Sequence, residues 1–560
     1  YLCAAALHDV RQQLEGGPDQ QRLDVGAPPA APPGVDLEDP DQRRGLEDLL
    51  GWAERTVEGD VAELAASPAP ALWSAVSVGP GECVGASACA FSEDCWSERA
   101  RARADSASIV VVNAALYGAH LRAGGTLLPE HDQLVIDEAH EFEDSIVGSL
   151  AVELTQGRLA NLARVHDRNV AGDDKVAAAL RAAGLLLDSS LGRHLGDATQ
   201  VRLRGGLGED LAAAVASAVS AADRALNSLR RAARSAGGTA ARHRADRAVR
   251  VAEGVLGAAQ ELLVDHGPGT VCWIESSSPS RRALRLTRID VADALRDAAW
   301  SDESLTVVCC SATLDPGTAG RLGLDARYLA VPSPFDFAEQ AVLYVPKLVP
   351  PRDPRWVEQV AAELVHLIDR LDGRTLALFT STRMLRETVE RCRAALPGHE
   401  LLAQGEAPNA ELQRRFLAEE HTCLFATASF WTGMSSPGST CSAVVIDKLP
   451  FPVPTDPIVE ARSELVGEGR AFAEVSLPAA GLQLAQGVGR LVRTSTDRGV
   501  VAVCDPRLAE SGYRERLLAM LPPMRRMRNR AAVDRFIDRL ALDRRTGTRP
   551  PGASGSAAGT

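Results

Sequence analysis

The stretch that most constrains the fold is an apolar run, Gln133 to Ile136, that ends directly on Asp137-Glu138-Ala139-His140. A short apolar run closed by polar residues reads as a buried strand, and the carboxylates sit where it emerges from a sheet. An Asp at such a strand end is placed to hold Mg²⁺ beside a triphosphate, and a following Glu is placed to orient an attacking water. His140, one turn on, can link that site to a second domain. The same four residues also suit a plain helix N-terminus, whose dipole favours carboxylates. What accompanies them decides between the two.

Further strand signals fall at 108–117, 269–289 and Leu305–Leu314. Others follow at Thr375–Phe379, Thr422–Ala426, Ala443–Ile446 and Gly499–Cys504, with helical spacing between them. Alternating strand and helix predicts parallel sheets. Residues 145–265 differ: they are rich in Ala, Leu and Arg, keep helical periodicity and are too long for a loop. They read as an all-helical insertion. Its basic stretch, Arg230 to Arg250, is either a solvated helix face or a nucleic-acid contact. Residues 26–34, Gly-Ala-Pro-Pro-Ala-Ala-Pro-Pro-Gly, read as a surface loop, and the Gly/Pro/Ser/Ala-rich tail after 546 as disordered.

Composition excludes some functions. At 560 residues the chain can hold several domains, and 45% hydrophobic with 24% charged residues is globular usage. No apolar run approaches a membrane span and no signal peptide opens the chain, so a cytoplasmic protein without a membrane partner is expected. A net charge of −13 argues against wholesale coating by nucleic acid and leaves room for local phosphate contacts.

Three more constellations carry chemistry. In Gln486-Gly-Val-Gly489-Arg490-Leu-Val-Arg493, positions 486, 490 and 493 share one face if the stretch is helical. An amide and two guanidiniums there suit a triphosphate, with Arg490 or Arg493 as an arginine finger. In Ala426-Thr-Ala-Ser-Phe430-Trp431-Thr-Gly433-Met, Trp431 either stacks on a base or fills a core. Cys83, Cys89 and Cys95, with Cys3 upstream, lack the short spacing of a zinc ribbon; zinc and an iron–sulfur cluster remain equally open on spacing. Cys3 lies near the chain start, where fraying is expected.

Taken in order, these residues resemble the DinG/XPD group of superfamily 2 DNA helicases. The match runs through Tyr1-Leu-Cys3, Trp52 with Gly59-Asp60, the three later cysteines and the Asp137–His140 (DEAH) motif. It continues through Ser311-Ala-Thr313-Leu314, Ser333-Pro-Phe335, Phe379-Thr380-Ser381, Phe430-Trp431 and Gln486–Arg493. The resemblance implies an α/β fold: two RecA-like parallel-sheet motor domains, with an iron–sulfur insertion and an all-helical Arch insertion. The expected boundaries are 1–105 for the cluster segment, 106–145 for motor domain 1 and 146–268 for the Arch. Motor domain 1 then returns over 269–340, motor domain 2 spans 341–545, and 546–560 is the tail.

The implied activity is ATP-dependent, 5′→3′ unwinding of DNA in repair or replication, on single-stranded and forked or tailed duplex DNA. By position, Asp137 binds Mg²⁺, Glu138 is the catalytic base, and His140, Ser311 and Thr313 couple hydrolysis to movement. Gln486, Gly489, Arg490, Arg493 and Gly433 face ATP. Thr380, Ser381 and Trp431 contact DNA. Cys3, Cys83, Cys89 and Cys95 hold a [4Fe–4S] cluster.

Two departures stand out. The family's Trp-Glu-Gly-x-Asp reads Trp431-Thr432-Gly433-Met434-Ser435 here, so both acidic positions are lost. None of the three lysines, Lys175, Lys347 and Lys448, precedes Ser or Thr, so no phosphate-binding loop occurs. In the family that loop precedes the first cluster cysteine, so truncation before Tyr1 is the expected reason. The chain as it stands is then expected to bind single-stranded DNA without turning over ATP. A nucleic-acid-binding iron–sulfur protein without ATPase activity is the rival reading. A redox-sensing metal module is a third, and it leaves the arginine motif unexplained.

Overall fold

The computed structural model describes residues 1–15, 35–64, 66–79, 82–170, 174–264, 267, 269–278, 281–301, 304–427, 430 and 441–546. The stretch 26–34, Trp431 to Ser435 with Gly433, and the tail after 546 lie outside them. The chain forms two compact units, Tyr1–Ala326 and Arg327–Thr560. The division falls a little before the expected boundary at 340.

The first unit opens with a small helical body. Helices Ala4–Glu15, Pro40–Ala53 and Pro70–Val76 bury Leu2, Leu7, Val10, Leu46, Leu49 and Val76 against one another. Asp39 starts the second helix by accepting N–H bonds from Asp41 and Gln42, with Pro40 at the first helical position. The run at 108–113 is not a strand. Ile109 and Val111 are 83% and 90% exposed, and Asn113 caps helix Ala114–Arg122 by accepting from Leu116 N–H at 2.8 Å. Apolar content alone does not make a strand; a ladder partner must take its backbone groups, and no strand pairs with this run among the described residues.

Strand β1 (Gln133–Asp137) follows, then helix Ala139–Ser149 and β2 (Val152–Thr155). Helices Gln156–Asn169 and Asp174–Leu195 lead to β3 (Gln200–Arg202). The long helices Gly208–Ser235 and Thr239–Leu263 then lead to β4 (Thr270–Ser278) and β5 (Arg281–Arg288). The insertion is therefore not all-helical. Its four strands form an antiparallel sheet in the order β2-β5-β4-β3. Ile274, Leu284 and Leu286 of that sheet pack into the same core as Leu159, Leu180, Leu211 and Leu229 of the helices. Residues 269–289 thus belong with the insertion, not with the returning motor domain. The short strands were illegible because three or four residues carry no period. β6 (Thr306–Cys310) then pairs parallel with β1, Gln133 opposite Thr306 and Asp137 opposite Cys310.

The second unit is a seven-stranded parallel sheet. Its strands are β7 (Ala341–Tyr344), β8 (Thr375–Phe379), β9 (Leu401–Ala403), β10 (Cys423–Thr427), β11 (Ala443–Ile446), β12 (Gly499–Val503) and β13 (Arg525–Met527). They lie in the order β13-β7-β12-β11-β8-β10-β9. Every neighbouring pair is parallel. Alternate residues serve opposite faces. Leu376, Leu378, Val444, Ile446, Val501 and Val503 join one core with Leu484 and Val488. Ala377, Phe379, Val445, Val500 and Ala502 join the other with Trp356, Leu364 and Ile368. Burial on both faces explains the unbroken apolar runs of these strands. β12 opens on glycine because a Cβ at Gly499 would lie 2.2 Å from Ser442 O.

Phe425 is fully buried and stacks on Phe379 with centroids 5.9 Å apart. Phe425→Ala should destabilise the second unit by about 3–5 kcal/mol, the cost of emptying such a site. Urea unfolding of the variant beside wild type measures it.

Candidate functional site

Parallel pairing puts the carboxyl ends of β1 and β6 side by side, and the residues that follow them meet. Glu138 adopts φ 48°, ψ 46°, the left-handed region. That costs a non-glycine residue roughly 1–2 kcal/mol, so the turn is held by its surroundings. Ser311 Oγ donates to Glu138 Oε2 at 2.8 Å and lies 2.7 Å from His140 Nδ1. Thr313 Oγ1 is 3.3 Å from Ser311 Oγ and 3.4 Å from His140 Nδ1. His140 Nδ1 is also 3.3 Å from Glu138 Oε2, and its side chain is 3% exposed. Burial alone would lower the His140 pKa, but hydrogen bonds to Glu138 and Glu141 outweigh it and raise the pKa to about 9. Asp137 is exposed, and Oδ1 accepts from Glu138 N–H at 3.0 Å and from the Cys310 thiol at 3.6 Å. A hard carboxylate oxygen at a strand end fits Mg²⁺. The structure thus brings Asp137, Glu138, His140, Ser311 and Thr313 together.

In the second unit the carboxyl strand ends carry acids that sequence reasoning overlooked. Asp447, one residue past β11, is 1% exposed. Its Oδ1 accepts from Thr380 N–H at 3.1 Å and Lys448 N–H at 2.7 Å, and its Oδ2 from Thr380 Oγ1 at 3.1 Å. The signal was available: Val-Val-Ile-Asp447 repeats the pattern of Leu-Val-Ile-Asp137. Burial pushes the Asp447 carboxyl up to about 7, against the pull of the N–H groups of Lys448 and Thr380, the Lys448 charge and the Thr380 hydroxyl. The Thr380 hydroxyl is therefore committed to Asp447. Ser381 Oγ caps helix Thr382–Ala395, accepting from Met384 N–H at 3.3 Å.

The expected single helical face over 486–493 is not formed. Helix Leu477–Val488 ends with Gly489 as its cap, so Gln486 is helical while Arg490 and Arg493 lie beyond it. Gly487 and Gly489 weaken the helix there. Asp497 then takes over the chain: its Oδ2 accepts from Arg493 N–H at 2.7 Å and Thr494 N–H at 2.8 Å, and its Oδ1 from Thr494 Oγ1 at 2.7 Å. Arg490 is buried and Arg493 exposed.

The four amino-terminal cysteines are all free thiols. Cys3 is buried rather than frayed, its N–H donating to Val76 O at 2.8 Å. Burial raises the Cys3 pKa, Arg247 and the N–H groups of Ala6 and Ala5 lower it, and the neighbouring Cys95 raises it. Burial also raises Cys89, the Phe91 N–H lowers it, and Cys95 and Cys83 add to the rise. Each thiol thus lies within the field of another. Among the described residues no three His, Cys, Asp or Glu side chains enclose a single metal ion. A four-iron cluster is a larger body that holds four thiolates farther apart than one ion does. Four free cysteine thiols are the donor type that such a group takes.

The chain is similar to several known proteins. The helicase C-terminal domain family matches residues 364–524. The ATP-dependent helicase DinG of Mycobacterium tuberculosis is 37% identical over 519 residues, covering 89% of this chain and 76% of the relative. The ATP-dependent DNA helicase YoaA of Escherichia coli is 34% identical over 504 residues, covering 87% and 78%. Among solved structures, S. tokodaii Xpd4 aligns with 70% of this chain and 75% of its own, at 16% identity and a TM-score of 0.45.

Asp447 gives a pH prediction. Its folded pKa, about 7, lies above the ordinary carboxylate value of 3.8, so between these two the folded state binds the proton more tightly than the unfolded chain. Its contribution to stability should therefore fall as pH rises from 3.8 to about 7 and stay flat above. Urea unfolding of wild type and Asp447→Asn across that range isolates the effect as the difference between them. A difference independent of pH would refute the shift.

Proposed function

The chain belongs to the DinG family of ATP-dependent helicases, and from that premise we propose that its strand-end residues couple ATP hydrolysis to the unwinding of DNA. The observation that carries the reading is the Glu138–Ser311–His140–Thr313 network across β1 and β6. ATP with Mg²⁺, when bound, supplies the phosphoryl group and a divalent charge. Asp137 would hold the metal, and Glu138 orients and deprotonates the attacking water. Ser311, bonded to Glu138 and within reach of His140 and Thr313, would carry changes at Glu138 to those residues. In the second unit Gln486 and Gly489 would face the nucleotide. Arg493, exposed and with its backbone fixed by Asp497, meets the charge developing on the γ-phosphate. Arg490, expected to face ATP as well, is buried.

DNA is read as single-stranded, entering from forked or tailed duplexes with 5′→3′ polarity, in repair or replication in the cytoplasm. With the hydroxyls of Thr380 and Ser381 occupied, these residues reach phosphate through the first turn of helix Thr382–Ala395, whose dipole favours anions. No described helix is long and apolar enough to cross a membrane. Cys3, Cys83, Cys89 and Cys95 would bind one [4Fe–4S] cluster, for which their four thiols supply the donors. A second reading, DNA binding without turnover, is favoured by one observation: no Gly-Lys-Ser/Thr occurs in the 560 residues.

DNA-stimulated ATP hydrolysis, measured in a polypeptide that carries a phosphate-binding loop beside this chain, separates the two. Glu138→Gln should lower kcat about 10²–10⁴-fold with nucleotide binding retained. Arg493→Ala should lower it by about 10³–10⁵-fold. Near-normal turnover in both variants would mean the site is elsewhere. Single-stranded DNA binding by the 560-residue chain should weaken steadily as salt rises, as phosphate contacts require; fluorescence anisotropy across a salt series tests that.

A further inference from the structure

Helix Thr239–Leu263 of the insertion meets the cysteine-bearing body through one face. His243 and Arg247 are one turn apart, with Arg244 beside the first. His243 is 4% exposed, and its Nε2 lies 3.3 Å from Cys89 Sγ. Its ring meets Phe91 edge-on with centroids 5.8 Å apart, and Phe91 packs against His8 at 5.0 Å. Arg244 pairs with Asp9 at 3.2 Å, and Arg247 lies 3.7 Å from Glu82, next to Cys83. The Arg247 charge also reaches Cys3. An apolar side chain would fill the space beside Phe91 equally well. A buried imidazole needs a polar partner, and here that partner is a thiol.

We propose that His243 and Arg247 are positioning residues for the cysteine site. His243 Nε2–H donates to the Cys89 thiolate, and the Arg247 guanidinium, 3.7 Å from Glu82, offsets negative charge at Cys3. The proposal rests on the reading of the four cysteines as cluster ligands. An anionic cluster gains further negative charge on reduction, so a hydrogen bond to a ligand sulfur and a nearby cation stabilise the reduced form more. The insertion helix therefore both fixes the ligands and raises the reduction potential of the group they hold. By the same linkage, moving this helix away changes the cysteine site electronically, although the helix supplies no ligand.

The test uses the anaerobically purified chain, its iron and sulfide content, and a reductive titration followed by visible absorbance. His243→Ala and Arg247→Ala should each lower the midpoint potential and speed iron loss to a chelator. His243→Gln and Arg247→Lys, which keep the donor and the charge, should restore most of both. Arg244→Ala removes the Asp9 pair and touches no cysteine, so it separates loosened docking from loss of these contacts. A shift there as large as in His243→Ala overturns the proposal, as do unchanged potentials in both alanine variants. A second arm needs no cluster. In metal-free protein, alkylation of Cys89 followed by mass spectrometry should be several-fold slower in His243→Ala than in wild type, because the lost N–H donor disfavours the nucleophilic thiolate. A wild type without iron and sulfide would end the cluster reading, and the alkylation arm would then decide alone whether the insertion holds these thiols.

Discussion

The parallel pairing of β1 with β6 joins Asp137 to Cys310 across 173 residues of sequence, and the hydrogen-bond network at the strand ends depends on it. Only when those strands lie side by side in register do Ser311 and Thr313 reach Glu138 and His140. A connection of that length costs closure entropy that grows slowly with length, so a large insertion is tolerated provided its ends come together. The insertion's own sheet arranges this. β2, at its entrance, pairs with β5, at its exit, Val152 opposite Leu286 and Thr155 opposite Ala283. Thr287 Oγ1 also donates to Val147 O at 2.7 Å. The strands that break the helical pattern are what let the helical body be inserted without pulling β1 and β6 apart.

The second unit solves a related problem. A parallel sheet buried on both faces leaves function to its carboxyl edge, where every strand end opens into a loop. Buried acids hold those loops. Asp447 ties the residue after β8 to the end of β11 through Thr380. Asp505, after β12, accepts from Leu449 N–H at 3.0 Å and grips Arg507. Asp497 shapes the turn bearing Arg493. Each carboxylate spends its hydrogen-bonding capacity on backbone N–H groups that no strand or helix could satisfy. The backbone of the exposed Arg493 is thus tied to Asp497.

The insertion and the cysteine-bearing body share a third kind of contact, in which the helix near residue 243 supplies polar groups to thiols of another segment. His243 is unremarkable in sequence, lying in an Arg-rich helix that reads equally as a solvated face. Within that basic stretch the partners differ residue by residue. Arg230 pairs with Glu253 at 2.8 Å and Arg242 lies 3.8 Å from Asp246, both on the insertion's own surface, whereas His243, Arg244 and Arg247 face the neighbouring body.

The amino-acid sequence by itself determined the strand–helix alternation of the second unit, the strand ending on Asp137 and the helical character of most of the insertion. These follow from period and local propensity, which a chain carries within a few residues of each position. It also placed Asp137–His140 and Ser311–Thr313 at the ends of strands. Only the tertiary structure decided that 108–113 is not a strand, that β4 and β5 belong to the insertion, and that the helix carrying Gln486 stops before Arg490. It alone revealed that Thr380 answers to Asp447, Arg493 to Asp497 and Cys89 to His243. Each of these turns on a partner distant in sequence or on burial, and neither is written in local pattern. A strand exists only where another strand takes its hydrogen bonds, and a carboxylate shapes a loop only where the fold has removed the water that would otherwise compete for it.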